Sequence, residues 1–228
     1  MNGGQDMGGT HGFGPVVVEK DEAVFQADWE RRIFGTQICT RLRGIDTLDE
    51  VREGLESMSP AQYLSASYYE KWILALERLL VEKQVLTEDE LLARYSEFAA
   101  NPSADLPSHP EPSFVEFADR VVRTGGSASR EVVKPPSFRA GDIVITRNVH
   151  PCRHTRMPRY VRGRRGVIER VYDAFLLPDL NVTGVEQPEY VYAVALEGRE
   201  LWGESAEARS RVYIDLWESY LLPGEEAA

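Results

Sequence analysis

Phe138-Arg139-Ala140-Gly141-Asp142-Ile143-Val144-Ile145-Thr146 is where this chain changes its period. Before it, apolar residues recur every three or four positions. From Asp142 onward they run in short β-branched and aromatic stretches, which is the signature of strands. Asp142–Thr146 reads as a first strand, and Gly166-Val167-Ile168-Glu169-Arg170-Val171-Tyr172 alternates as a second. Tyr190–Leu196 and Arg211–Trp217 complete a set of four. Short strands joined by turns predict a small closed or half-open barrel of the SH3-like sort over 138–228. The fold class expected is therefore α+β, a helical N-terminal half followed by an SH3-like β-barrel.

Between the first two strands lies a long loop crowded with arginine: Arg147, Arg153, Arg156, Arg159, Arg162, Arg164 and Arg165, with His150 and His154 among them and no lysine. Arginine presents a rigid fork that meets paired oxygens with two parallel hydrogen bonds, whereas lysine offers a point charge. Three readings stand side by side: a solvated basic turn, a nucleic-acid patch, or shaped recognition of an oxyanion. A net charge of −11 opposes the second over most of the surface.

Upstream of residue 138 the pattern is helical. Periodicity begins near Asp21, with Phe25, Trp29, Ile33 and then Phe34, Ile38, Leu42 on one stripe, and Gly44 ends it. Thr47 and Glu50 form a capping box for a second helix, whose expected buried face is Leu48, Val51, Leu55 and Met58. Arg52 and Glu56 lie four apart on it, the spacing of a surface ion pair. Pro60 opens a turn, and a third helix is expected over 67–83, with Tyr68 off its apolar stripe. Thr87 and Glu90 repeat the capping box. Four prolines between 101 and 113 exclude regular structure there, and an amphipathic helix follows over 114–123. The domain reading is an extended glycine-rich arm (1–20), a helical domain (21–125), a linker (126–137) and the barrel (138–228). An arm so rich in glycine is expected to order only against a partner.

Composition excludes several classes. Hydrophobic residues make up 43% and charged residues 28%, a globular balance. No apolar run approaches the ~20 residues that span a bilayer, and no signal peptide is visible, so the expected location is cytoplasmic, with no membrane partner. Cys39 reads as a buried structural thiol and Cys152 as an exposed loop residue. The four histidines show no metal-ligand spacing, so no metal is expected on this chain alone.

With these residues placed, the chain resembles the β subunit of nitrile hydratase over nearly its whole length. The segments that carry the resemblance are Met1-Asn2-Gly3 through Asp6-x-Gly8-Gly9, Gly12-x-Gly14-Pro15, Phe25-x-x-x-Trp29-Glu30, Leu48-Asp49-Glu50-x-Arg52 and Tyr68-Tyr69-x-x-Trp72. Downstream they are His154-Thr155-Arg156, Tyr160-x-Arg162-Gly163, Glu200-Leu201-Trp202-Gly203 and Asp215-x-Trp217-Glu218-x-Tyr220-Leu221. The family hydrates nitriles to amides with cobalt(III) or iron(III) held in a cysteine claw of a partner α subunit, two of those cysteines being oxidised to sulfenic and sulfinic acids. The resemblance implies Arg52 and Arg156 as the catalytic pair reaching those oxidised sulfurs. It implies Glu56 and His154 as a hydrogen-bond network behind them, and Leu48, Val51, Tyr68 and Trp72 as pocket wall. It further implies an αβ heterodimer or α2β2 heterotetramer, a small nitrile substrate and no nucleic acid. Lys71 stands where the family commonly has histidine, and Gln37 where an apolar pocket residue is usual, which implies a more polar pocket. Arg162 and Arg164 are expected to be solvated. The alternatives are a metal-insertion activator for such an enzyme and an RNA-binding SH3-like protein.

Overall fold

The computed structural model describes residues 2–106 and 108–224. Met1, Pro107 and the last four residues of the expected barrel lie outside them. The chain divides into two compact units, one of Val18–Met58 with Gln62–Ser127, the other of the residues through Val17, Ser59–Ala61 and everything from Ala128.

The first unit is helical: α1 (Asp28–Leu42), α2 (Leu48–Glu56), the short α3 (Pro60–Ser65) that begins at its border, α4 (Tyr68–Glu82), α5 (Glu88–Ala100) and α6 (Pro112–Thr124). The two threonine capping boxes form as expected. Thr47 N–H donates to the Glu50 carboxylate at 2.7 Å and Glu50 N–H returns a bond to the Thr47 hydroxyl at 3.2 Å. Thr87 and Glu90 do the same at 2.8 and 3.2 Å. Helix α1 starts at Asp28 and not near Asp21. The reason is local: the Glu30 carboxylate accepts the backbone N–H groups of Gln26 and Ala27, which fixes the entry turn there. Phe25 keeps its apolar role outside the helix, its ring centroid 5.5 Å from that of Tyr69.

Helix α2 differs from its expected face. Val51 is buried, but Leu48 is 45% exposed, and Asp49 and Glu56 are buried in place of Leu48 and Leu55. α2 crosses close on α4: a Cβ added at Gly54 would lie 3.0 Å from the Cβ of Ala75, which is itself 1% exposed. The glycine lets the two backbones approach, and Val51, one turn back on the same face, is buried with it, while Asp49 and Glu56 lie on the opposite face of the helix.

The second unit is an antiparallel sheet: β1 (Ile143–Thr146), β2 (Arg165–Leu176), β3 (Pro188–Glu197), β4 (Arg211–Trp217) and β5 (Leu221–Pro223), in the order β4-β3-β2-β1-β5. Two short helices, α7 (Pro178–Asn181) and α8 (Gly198–Trp202), sit in the connections. The four expected strands are present. The fifth, β5, is three residues long and pairs Leu221 with Thr146 and Pro223 with Val144. The ladder does not close between β4 and β5. β2 carries register shifts between Ile168 and Arg170 and between Val171 and Ala174, which bend a twelve-residue strand over one core. That core gathers Val144, Ile168, Tyr192, Val194, Leu196 and Leu216 with Met157 and Val161 from the arginine-rich loop. The loop is thus part of the core and not an excursion from it.

Candidate functional site

The two arginines singled out by sequence have different supports. Arg52 projects from α2, where its guanidinium meets Asp49 at 3.1 Å, one turn back, in place of the expected Glu56. Asp49 is buried and Arg52 is about one-third exposed, so the carboxylate steers the guanidinium from beneath. Glu56 lies beside Tyr63: burial pushes the Tyr63 hydroxyl above its ordinary range, and the Glu56 charge adds to it. On the same unit Tyr68 is 64% exposed, with its ring centroid 5.4 Å from that of Trp72 and 5.0 Å from that of Tyr69. Leu48, Tyr68 and Trp72 thus offer accessible apolar surface, while Val51 is covered.

Gln37 does not face an open pocket. It is 1% exposed, and its amide donates to Asp46 at 2.9 Å and to the Thr40 hydroxyl at 3.3 Å. Its polarity is used inside the helical unit, next to the Arg41–Asp46 ion pair. Lys71 sets its ammonium 4.4 Å from the Tyr63 ring centroid, a cation–π contact that a neutral imidazole would not make in the same way. Cys39 is half-buried and Cys152 exposed.

Arg156 stands on the loop between β1 and β2, and that loop is cross-braced. Tyr220 is its hub. The phenol accepts from the Arg156 backbone N–H at 3.2 Å and the Thr155 hydroxyl at 3.3 Å, and donates to Asp179 on α7. Burial pushes the Tyr220 hydroxyl well above its ordinary range, and the Asp179 charge pushes it the same way, so the phenol stays protonated and keeps its donor. His154 is fully buried, and Thr155 and Met157 are buried with it. Between them the Arg156 side chain points out, exposed, and its guanidinium has no partner among the described residues.

The expectation that Arg162 is solvated is wrong. It is 6% exposed, and its guanidinium donates to the Met157 carbonyl through both Nε, at 3.2 Å, and a terminal nitrogen, at 2.8 Å. The other terminal nitrogen reaches Asn2 at 2.6 Å and His150 at 3.0 Å. Arg164 is half-buried as well, its backbone N–H held by the Thr146 hydroxyl at 2.9 Å. Arg159 is exposed but bound to Asp6. Six residues apart on one loop, Arg162 is a structural brace and Arg156 is held free. Charge counting along the sequence does not separate them.

Two family models cover nearly the whole chain: the N-terminal domain of nitrile hydratase β subunits over residues 1–119 and the C-terminal domain over 127–223. This chain belongs to the nitrile hydratase β-subunit family. It is 40% identical over 223 residues to the cobalt-containing nitrile hydratase subunit beta of Pseudonocardia thermophila, covering 97% of this chain and 96% of that one. It is 36% identical to the low-molecular weight cobalt-containing nitrile hydratase subunit beta of Rhodococcus rhodochrous, covering 98% of this chain and 100% of that one. A nitrile hydratase subunit beta from a Rhodococcus species is 38% identical, with 97% and 95% covered. A surface cleft of about 670 Å3 is lined by Arg165, Glu197, Glu200 and Arg211, and none of Arg52, Arg156, Glu56, His154, Leu48, Val51, Tyr68 or Trp72 lines it.

Tyr220, Asp179, Asp6 and Asn2 were missed as functional supports. Asp6 left one signal: a carboxylate in a glycine-rich arm has no helix to cap and no visible cation nearby. Tyr220 stood only as one member of the Asp215-x-Trp217-Glu218-x-Tyr220-Leu221 motif, with no local sign of its role, because its partners lie 41 to 65 residues away.

Proposed function

We propose that this chain is the β subunit of a heteromeric nitrile hydratase, which adds water to a small nitrile to give the amide, and that it works with a partner α subunit as an αβ heterodimer or α2β2 heterotetramer in the cytoplasm. The observation that carries the reading is Arg156: an exposed guanidinium, unpaired among the described residues, on a loop whose neighbouring residues are bound or buried. A guanidinium left exposed beside residues that are braced or buried is suited to meet paired oxygens supplied from outside the chain. We assign Arg156, and Arg52 with it, to the oxidised cysteine sulfurs of the α subunit. There their charge and planar donors orient and stabilise oxygens that would otherwise be reactive. Glu56 and His154 are assigned to the network behind these arginines. Leu48, Val51, Tyr68 and Trp72 are assigned to the pocket wall, with the exposed Leu48 and Tyr68 meeting the nitrile and the covered Val51 backing them.

Among the described residues no group of three or more His, Cys, Asp or Glu side chains could hold a metal ion. The described residues therefore do not fit a metal site of their own, and the proposal assigns the Lewis-acid ion, cobalt(III) or else iron(III), to the α subunit. Two relatives that carry cobalt in their names favour cobalt. The open sheet, bent by the irregularities of β2, is read as a half-open SH3-like barrel. No helix among the described residues is long and apolar enough to cross a membrane. Exposed Val16, Val17, Val18 and Trp29 are surface that an obligate partner would cover.

The test is nitrile hydration by this chain co-expressed with its α subunit. Arg52→Lys and Arg156→Lys keep the charge and lose the fork, and each is expected to cost on the order of tenfold to a hundredfold in rate, the equivalent of one or two charge-assisted hydrogen bonds. Arg147→Lys, on an exposed side chain of the same loop, is the control and should leave the rate unchanged. Wild-type rates in both site variants would sink the assignment.

A further inference from the structure

The glycine-rich arm is expected to be ordered only by a partner, yet residues 2–10 are bound to their own sheet unit. Asp6 is the centre of the contact. Its carboxylate, only 6% exposed, accepts the Arg159 backbone N–H at 3.0 Å and the Arg159 Nε at 3.1 Å, while the Asp6 carbonyl accepts a terminal nitrogen of Arg159 at 2.8 Å. Asn2 makes the second contact, its carbonyl taking the Arg162 guanidinium at 2.6 Å and its amide donating to His150 Nδ1 at 3.0 Å. His150 Nδ1 also faces the Arg162 guanidinium at 3.0 Å. Both neighbours are donors, so that nitrogen is the acceptor and the ring proton sits on Nε2. Gly8 makes the third. A Cβ there would fall 2.3 Å from Cδ1 of Tyr160, whose ring stacks on Trp202 with centroids 6.4 Å apart and planes within 10°. Glycine is required by this close approach, not by a turn.

These contacts fall on one short run of loop. Arg156 is tied on its N-terminal side by Thr155 and its own N–H to Tyr220. On its C-terminal side, Met157 is held through its carbonyl by Arg162, and Arg162 and Arg159 are in turn held by Asn2 and Asp6. The arm is therefore the outer half of the clamp on the Arg156 loop. We propose that residues 2–10 form a strap that positions Arg156 for nitrile hydration, with Asp6 and Asn2 as positioning residues that act through Arg159 and Arg162.

This inference rests on the role given to Arg156 above, and its test keeps the two apart. Asp6→Asn, Arg156→Lys and the double variant are each co-expressed with the α subunit, and kcat and KM for a small aliphatic nitrile are measured. Asp6→Asn keeps size and removes the charge. It is expected to lower kcat about tenfold while KM stays within about twofold, because a site arginine is displaced and the pocket wall is untouched. The double variant should be no slower than Arg156→Lys alone, within about twofold, since a strap that acts only through Arg156 has nothing further to lose. Asp6→Glu, which restores a carboxylate, should recover part of the rate. If Asp6→Asn does not assemble, Asn2→Ala, which removes one link to Arg162, takes its place in the same cycle. A wild-type rate in the strap variant, or losses that multiply in the double variant, would overturn the strap while leaving the role of Arg156 intact. A wild-type rate in Arg156→Lys would overturn both.

Discussion

Arg52 and Arg156 are supported in opposite ways. Arg52 rides on a helix that is fixed by its own capping box and by the Gly54–Ala75 crossing, and one ion pair with Asp49 aims it. Arg156 rides on a loop with no ladder of its own, fixed by a phenol, two other arginines and the start of the chain. A helix orients a side chain through hydrogen bonds made within four residues. A loop must borrow every restraint from elsewhere, so its precision depends on residues far away in sequence.

If that contrast is right, damage to the loop's braces should be severe and damage to the helix seat mild. Arg162→Lys is expected to show the largest effect, destabilising the chain by roughly 2–4 kcal/mol, because a buried ammonium cannot replace a fork that serves Met157, Asn2 and His150 at once. Thermal or denaturant unfolding measures this, and a change within about 0.5 kcal/mol, the level of an ordinary surface substitution, would make the loop no more braced than a surface turn. Tyr220→Phe removes the hub hydroxyl but fills the same space. It should cost about 1–3 kcal/mol, since the Thr155 hydroxyl, the Arg156 N–H and Asp179 all lose a buried partner. On the helix side, Gly54→Ala sets the strain of a Cβ 3.0 Å from Ala75 against the gain in helix propensity. A net loss of about 1 kcal/mol is expected, and a gain would show that the α2–α4 crossing has room to give.

The mildest test concerns pH. Burial works to raise the Glu218 pKa, but bonds from Tyr192 and from the Ser137 N–H and hydroxyl outweigh it and hold the carboxyl below its ordinary range. A group depressed in the folded state stabilises above its unfolded pKa, and that stability is lost as pH falls through the folded value. Glu218→Gln should therefore flatten the acid limb of the stability profile below about pH 4.3, the ordinary glutamate value, and change little near neutrality. An acid limb identical to that of the unaltered chain would remove Glu218 from the account.

The same contrast explains what could be read from sequence. Thr47 with Glu50 and Thr87 with Glu90 announce themselves because a cap and its partner are three residues apart. β2, β3 and β4 are legible because their β-branched and aromatic runs extend over seven residues or more. β5 is not, at three residues. The start of α1 was misplaced because apolar spacing continues through Phe25, while the Glu30 carboxylate that sets the boundary is polar and reaches backward. Within the site, the residue types of Arg52 and Arg156 were visible through the family's motifs. The burial of Arg162 was not, since one arginine in a basic loop looks like the next until Met157, Asn2 and His150 are brought around it. Gln37 misled for the same reason: its Asp46 partner is nine residues away, beyond the reach of helical periodicity.

The strap has a consequence for synthesis. Asp6 and Arg159 are 153 residues apart, and Asn2 and Arg162 are 160 apart, with the whole helical unit between them. Asn2 and Asp6 must wait for their docking loop until more than 150 further residues have been made. The helical unit, a compact unit by itself, can fold in that interval. Closing so large a loop costs entropy that nothing repays until the sheet exists. Asn2 and Asp6, made long before Arg159 and Arg162, are therefore among the last residues to find their places, and the Arg156 loop takes its final shape only then.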